Sequence, residues 1–440
     1  MQPGIARAAE KMRQDGASER ALRVFTNYAN WIEQGVTGLI PEAEIEPITD
    51  VFQPNGETST AEDNAALEQT VVVKLNGGLG TSMGMEQAKS LLPVRDGLTF
   101  LDIICGQIRH VRESRGVRLP LIFLNSFRTQ ADTLAALPAD ILVPDLPIDM
   151  VQGREPKLLV DSLEPVSWPA APELEWCPPG HGDIYTAMLD SDLVELLLAQ
   201  GYKYLMSSNS DNLGATPSAE LAGWFARSGA DYAPEVCLRT PADRKGGHLA
   251  IRKADGRTIL RDTAQTPPAD MDYFTDETVH PYFHTNNLWF NLESLHELLK
   301  RTDGLLELPL IKNQKNVDPT DPDSPQVYQI ECAMGAVVEK FANVQPVLVG
   351  RERFLPVKTT SDLLLLRSDF YQMQPDFRIT TERDDVPRVQ LDPKYYKTIA
   401  QFEQRFQQIP SLREITSLQV TGDMYFNEPM QLSGDVVLQG

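Results

Sequence analysis

VVVKLNGGLGTSMGMEQAKS, residues 71–90, is an apolar β-branched run that breaks at Leu75 and Asn76 into a glycine-rich loop. Val71, Val72, Val73 and Leu75 in so short a run suit a strand buried on both faces of a sheet. Gly77, Gly78, Gly80 and Gly84 follow, mixed with the hydroxyls of Thr81 and Ser82. Glycines remove side chains where a backbone must pass close to a ligand, and their N–H groups can cradle phosphate oxygens. A plain turn needs only one or two glycines, so this density favours anion binding. The Walker pattern is absent, because Met85 rather than lysine follows Gly84. The dinucleotide pattern fails too, because the spacing between Gly80 and Gly84 is one residue too long. What is left is a phosphate loop with a separate lysine, Lys89, reaching in from further along the chain.

Outward from this loop, strands and helices alternate. LIFL (Leu121 to Leu124) and YLM (Tyr204 to Met206) predict short strands, while Thr99 to Val111 and Tyr185 to Ala199 carry helical periodicity. Such alternation over residues 70–300 predicts an α/β fold with a mostly parallel sheet covered by helices. Ligands of such sheets sit outside the carboxyl ends of the strands. Upstream, residues 5–35 read as one amphipathic helix, followed by a polar segment punctuated by Pro41, Pro47, Pro54 and Gly56. Downstream, residues 313–327 (NQKNVDPTDPDSPQV) read as a surface loop, and Tyr395 to Gln408 as one helix. The tail repeats itself: VTGDMYF (Val420 to Phe426) and LSGDVVL (Leu432 to Leu438) lie twelve residues apart. Short strands at fixed spacing suggest coils of a β-solenoid, with two strands of an ordinary hairpin as the alternative. Met424, Phe426, Val436 and Leu438 alternate with outward positions, so an end coil here needs cover from a second subunit or frays.

The 440 residues imply two or more domains, and 42% apolar with 23% charged residues is globular composition. Net charge is −22, which disfavours a non-specific nucleic-acid binder and requires local positive points for any anionic substrate. No apolar stretch is long enough to span a membrane, and MQPGIARAAEKMRQDG lacks the apolar core of a secretory signal. Cys105, Cys177, Cys237 and Cys332 form no CxxC pair and read as reduced, mostly buried thiols of a cytoplasmic protein.

Three further loops carry chemistry. In PPGHGD (Pro178 to Asp183) a histidine flanked by glycines favours a ligand contact over a core role, with Asp183 as N-cap of the next helix. SSNSDNLG (Ser207 to Gly214) follows a strand; Asp211 suits Mg²⁺ ligation, although Asn, Asp and Gly also make plain turns. In RFLPVKTT (Arg353 to Thr360), Lys358 sits in an apolar, β-branched setting that favours a directed role over simple solvation.

These motifs, with TNNLW (Thr285 to Trp289), LPLIKNQKNVD and RFLPVKTTSDLLL, occur in the order seen in one family. From about residue 15 onward the chain resembles the UTP–glucose-1-phosphate uridylyltransferases (UDP-glucose pyrophosphorylases) of the eukaryotic type. The resemblance implies a Rossmann-like GT-A nucleotidyltransferase core with a mixed, mostly parallel sheet, and a small C-terminal left-handed β-helix. In residue ranges, 1–70 would be an N-terminal helical segment, 71–375 the catalytic domain, and 376–440 a helix plus β-helix domain. It also implies that UTP and glucose 1-phosphate give UDP-glucose and pyrophosphate with Mg²⁺. Carried over by motif, Leu75, Asn76, Gly77 and Gly78 would contact the nucleotide and Lys89 its phosphates. Gln152 and Gly180 would hold uracil, and His181 would lie at the sugar phosphate. Asn209, Ser210 and Asp211 would stand between ribose, metal and sugar, with Asp211 as metal ligand. Asn287 would reach sugar hydroxyls, and Lys358 would meet the phosphates from the far side. A homo-oligomer through the β-helix is a further expectation.

Departures from the family pattern matter as well. Met85-Glu86-Gln87-Ala88-Lys89-Ser90 stands where the family commonly has Cys-x-Gly-Pro-Lys-Ser, which removes rigidity before Lys89. Asp262 stands where a glutamate is usual, one methylene short of a sugar hydroxyl. The resemblance also puts the usual end of the family one or two coils beyond Gly440. A broad-range UDP-sugar pyrophosphorylase is therefore one alternative, and the N-acetylhexosamine enzyme, whose glycine loop differs, a weaker one. A silent nucleotide-sugar-binding subunit would have little use for both Lys89 and Lys358.

Overall fold

The computed structural model describes residues 2–54, 60–240, 243, 245–383 and 385–440, so Gly56 of the polar segment lies outside the described residues. Strand Thr70–Asn76 is buried along its whole length. Its side chains alternate between two cores. Val71, Val73 and Leu75 join a cluster with the N-terminal helices, and Val72 joins another with Phe100, Ile104 and Trp289. Strand Leu121–Asn125 divides in the same way, Ile122 and Leu124 to the first cluster, Leu121 and Phe123 to the second. A continuous apolar run is thus the signature of a sheet with a core on each face.

Strands Tyr204–Asn209, Thr70–Asn76, Leu121–Asn125 and Asp149–Val151 are parallel. Strand Tyr282–Asn291 pairs antiparallel with Tyr204–Asn209 and with Tyr232–Leu238. Gly247–Arg252 adds to it antiparallel and in turn carries Thr258–Asp262 and Ile45–Pro47. The ten-stranded sheet is therefore mixed, as expected, but it is not mostly parallel. The short connection between Arg252 and Thr258 closes a hairpin, which only an antiparallel pair allows.

Local breaks divide several expected elements. Residues 5–35 form two helices, Pro3–Gln14 and Glu19–Glu33, parted by left-handed Gly16 and restarted by the Ser18 side chain accepting from the Ala21 N–H. The helix expected over Tyr185 to Ala199 breaks at Asp192 (φ +51°) into Ile184–Asp190 and Leu193–Ala199. Tyr395 to Gln408 likewise contains Pro393–Tyr396 and Ile399–Arg405. Part of the expected 313–327 loop is strand, because Leu310–Asn316 and Gln326–Cys332 pair antiparallel. All four cysteines are free and buried. Among the described residues no helix is long and apolar enough to cross a membrane.

At the C-terminus, Arg388–Leu391, Ser411–Thr421 and Gln431–Gln439 form a parallel sheet, which excludes a hairpin. The expected twelve-residue repeat does not set its register. Leu418 lies opposite Val436 and Val420 opposite Leu438, an offset of eighteen. The two Gly-Asp pairs consequently take different roles: Asp435 accepts from the Ser417 hydroxyl, and Asp423 accepts from Arg405.

Candidate active site

The carboxyl ends of the parallel strands bring the glycine loop, the 209–212 loop and the 353–358 loop together. Gly80 (φ +70°) and Gly84 (φ +72°) are left-handed and bracket a single 3₁₀ turn, Thr81–Met83. This tight turn folds the chain back until the Lys89 N–H donates to the Gly78 carbonyl at 3.0 Å. A hairpin-like return and a 3₁₀ turn at Lys89–Leu91 thereby do the work of the missing Gly-Pro. The Lys89 ammonium donates to Asp211 at 2.5 Å and to the carbonyl of Val357. Lys89, Asp211 and the backbone that carries Lys358 are therefore in one place, although they lie far apart in sequence.

On one side of this point stand Gly77, Gln152 and Gly180. A Cβ on Gly77 would lie 2.4 Å from the Gln152 Oε1, so a larger residue there would push the Gln152 amide out of its present position. The Gln152 amide donates to the Gly180 carbonyl at 3.1 Å. Gly180 has φ +83° and packs against the Cys332 carbonyl, 2.8 Å from where a Cβ would stand. Gly78 is exposed at the cleft, whereas Leu75 and Asn76 are buried. The Asn76 amide is occupied by Asn125 and Thr133, which leaves its backbone, not its side chain, for a ligand. The His181 Nδ1 accepts the Met334 N–H at 2.8 Å, and burial pushes the imidazole down to about 4. His284 nearby is held down to about 3, by burial first and then by His181. Both rings are neutral at physiological pH. Asp183 occupies the N-cap position, but its carboxylate accepts from the Gly153 N–H and the Thr186 side chain rather than from a backbone N–H of its helix.

On the other side, the Asn209 side-chain Oδ1 accepts from the Asn286 amide at 2.9 Å. The Ser210 N–H donates to the Leu75 carbonyl, and its buried hydroxyl has no partner. Asn287, expected to reach sugar hydroxyls, is instead fully buried. Its amide donates to Glu235 and to the Arg353 carbonyl, and its oxygen accepts from Asn212. Asn286, at left-handed φ +61°, is the asparagine of TNNLW that faces the cleft. The strand twists at that residue, and alternation alone could not say which of two adjacent asparagines points out. Asp262 ends its strand; burial raises its carboxyl above the usual range, and the charge of Lys358 opposes that shift. Lys358 itself is exposed, with its backbone N–H donating to Asp362.

A buried network behind the cleft has no local sequence signal. Glu235 accepts two hydrogen bonds from the Arg353 guanidinium, at 2.8 and 2.7 Å, and others from Asn287 and Trp289. The Asn212 side chain bridges Asn287, the Arg353 carbonyl and the Leu355 N–H. Lys74, on the same face of the first strand as Val72, donates to Ser208 and to the Ala215 carbonyl. Burial lowers it to about 7, aided by Arg353 and opposed by Glu235. The network fixes the spacing of the 209–212 and 353–358 loops.

A family model described as UTP–glucose-1-phosphate uridylyltransferase matches residues 22–433. The chain belongs to the UTP–glucose-1-phosphate uridylyltransferase family. A member from Musa acuminata is 38% identical over 375 residues, covering 84% of this chain and 78% of that protein. One from Saccharomyces cerevisiae is 36% identical over 386 residues, covering 86% and 75%. Among solved structures, a variant of the UDP-glucose pyrophosphorylase from Leishmania major in complex with UDP-glucose is 39% identical. It superposes with a TM-score of 0.93, covering 100% of this chain and 95% of that one. The UDP-glucose phosphorylase from Trypanosoma brucei superposes with a TM-score of 0.90 at 40% identity, covering 99% and 98%.

Among the described residues no group of three or more His, Cys, Asp or Glu side chains forms a metal cage. Mg²⁺ takes one or two carboxylates and fills its octahedron with phosphate oxygens and water. Asp211, beside Lys89, is a carboxylate that could hold one.

Proposed function

We propose that this chain makes UDP-glucose and pyrophosphate from UTP and glucose 1-phosphate. A phosphate oxygen of the sugar attacks the α-phosphorus of UTP in line; the bond from that phosphorus to the bridging oxygen breaks, and pyrophosphate leaves. The attacking oxygen is already anionic, so no strong general base is required. The protein must hold two anions together and stabilise charge on the transferring group. The observation that carries this reading is the meeting of Lys89, Asp211 and the Val357–Lys358 backbone at the mouth of the glycine loop. In a chain of net charge −22, Lys89 and Lys358, carried on loops that meet, would supply the local positive charge that an anionic substrate needs.

The roles follow from position. Gly77 and Gly78 offer backbone to the nucleotide, Gln152 and Gly180 hold its base, and Lys89 and Lys358 hold the phosphates from opposite sides. His181, neutral, stands at the sugar phosphate, while Asn209, Ser210, Asn286 and Asp262 line the sugar side. Mg²⁺, when bound through Asp211, supplies charge neutralisation on the phosphates. We read the C-terminal parallel strands as coils of a small left-handed β-helix, which the eighteen-residue offset supports. The open edge of strand Gln431–Gln439 is the surface on which a second copy would add.

Release of pyrophosphate from UTP plus a panel of sugar 1-phosphates tests the reaction. Activity with glucose 1-phosphate above the other sugars is expected. Equal use of several sugars indicates the broad-range enzyme, and binding of UDP-glucose without pyrophosphate release indicates a silent binder.

A further inference from the structure

Gln152 is held in place from three directions. Its own N–H donates to the Asn125 carbonyl at 2.7 Å, its amide donates to the Gly180 carbonyl, and Gly77 closes over its Oε1. The residue after it, Gly153, donates its N–H to the Asp183 Oδ2 at 2.6 Å. Asp183 is buried, three residues beyond Gly180, and its own N–H donates back to the Gly180 carbonyl at 3.2 Å. The 152–153 turn and the 180–183 turn are therefore closed into one ring by two contacts, Gln152 to Gly180 and Gly153 to Asp183. Its carboxylate caps no backbone N–H of the helix that follows; besides Gly153 it accepts from the Thr186 side chain.

We infer that Asp183 is a positioning residue for base recognition: it fixes the 152–153 backbone so that the Gln152 amide meets the edge of the uracil. A glutamine amide offers both a donor and an acceptor, matching O4 and N3–H of uracil, whereas cytosine presents the reverse order. Discrimination between them depends on how tightly the amide is held. This inference rests on the proposed reading of Gln152 and Gly180 as the base site.

The environment of Asp183 gives the role a second readout. A small enclosed cavity of about 20 Å³ is lined by Asp183, Glu155, Glu331, Cys332, Tyr28 and Tyr185. The Glu155 Oε1 is buried there without a partner. The groups facing Asp183 are thus acidic or neutral: Glu155, Glu331 and Cys332 from the cavity walls, Thr186 beside it, and Asp190 along its own helix. Burial pushes its carboxyl up to about 7, the Gly153 N–H opposing. The ionised form makes the stronger bond to that N–H. The clamp is therefore tight above neutral pH and loosens as pH falls through about 7.

The test is steady-state kinetics of Asp183→Ala and Asp183→Asn with UTP, CTP and glucose 1-phosphate between pH 6 and 8.5. A lost hydrogen bond to a charged group predicts that Asp183→Ala raises KM for UTP about ten-fold or more. The preference for UTP over CTP should shrink with it, while KM for glucose 1-phosphate and kcat move much less. Asp183→Asn, which keeps an acceptor, should restore most of the affinity and remove the rise of KM for UTP seen in the wild type on acidification. If alanine fails to fold, the asparagine variant and the wild-type pH profile decide. An unchanged UTP-to-CTP ratio in alanine, or a wild-type KM for UTP flat across neutral pH, overturns the inference. Absence of pyrophosphate release in the wild type would instead overturn the proposed reaction.

Discussion

Lys358 and Asp262, near enough for their charges to interact, each allow a direct test. Lys358 is exposed and its side chain has no assigned structural duty, so Lys358→Ala should leave the fold intact. Loss of one such donor to a developing charge typically costs about 10²–10³ in rate. The expected result is a fall in kcat of that order with the affinity for UDP-glucose, read by calorimetry, much less changed; a wild-type kcat would remove the role. Asp262 is short for a sugar contact, and Asp262→Glu should raise kcat/KM for glucose 1-phosphate relative to galactose 1-phosphate. An unchanged ratio would mean that this carboxylate does not read the sugar. At this scale the sequence separated residue types well and orientations poorly. It offered Asn287 where the left-handed turn at Asn286 makes the neighbour the one that faces the cleft.

Elements meet through groups that a linear reading passes over. The Glu235–Arg353 pair links strand Tyr232–Leu238 to the turn before Lys358, and Asn212 and Asn287 extend it to the 209–212 loop. Arg353→Met would leave Glu235 fully buried without its ion partner. Breaking one side of a buried pair costs about 3–5 kcal/mol. A markedly lower melting temperature is therefore expected, and double substitution of Glu235 and Arg353 by apolar residues should recover part of it. Scanning calorimetry of the three variants checks this; equal loss in single and double variants would argue against an ion pair as the cause. Left-handed Gly16 and Asp192 and the hydroxyl cap at Ser18 show the same limit from another side. Apolar periodicity continues through a break of one or two residues, so helices that the chain divides look continuous.

Over the whole molecule, the C-terminal strands do not stand apart from the core. Leu412, Ile415, Leu418, Val420, Phe426 and Leu432 belong to the same apolar cluster as Val72 and Phe100. Deleting residues 417–440 should therefore lower the melting temperature and expose dye-binding apolar surface, besides removing the open edge of strand Gln431–Gln439. Turnover by the fraction that remains folded should change far less, because none of the candidate site residues lies within 417–440. Size-exclusion with light scattering on both proteins reads the assembly. An oligomer lost on deletion supports the edge as an interface, and identical monomers would leave these strands as packing for the core alone.

The sequence by itself determined the family, the glycine loop, the two lysines and the buried first strand. These signals are local: a glycine is needed wherever backbone approaches a ligand, and a strand with cores on both faces must be apolar throughout. Only the tertiary structure decided which strands of the sheet run antiparallel and that the C-terminal register is eighteen rather than twelve. It also decided that Asn286 rather than Asn287 faces the cleft, and that Asp183 turns from its helix to Gly153. Each of these depends on which distant backbone lies alongside, and pairing across a long separation in the chain leaves no periodicity to read.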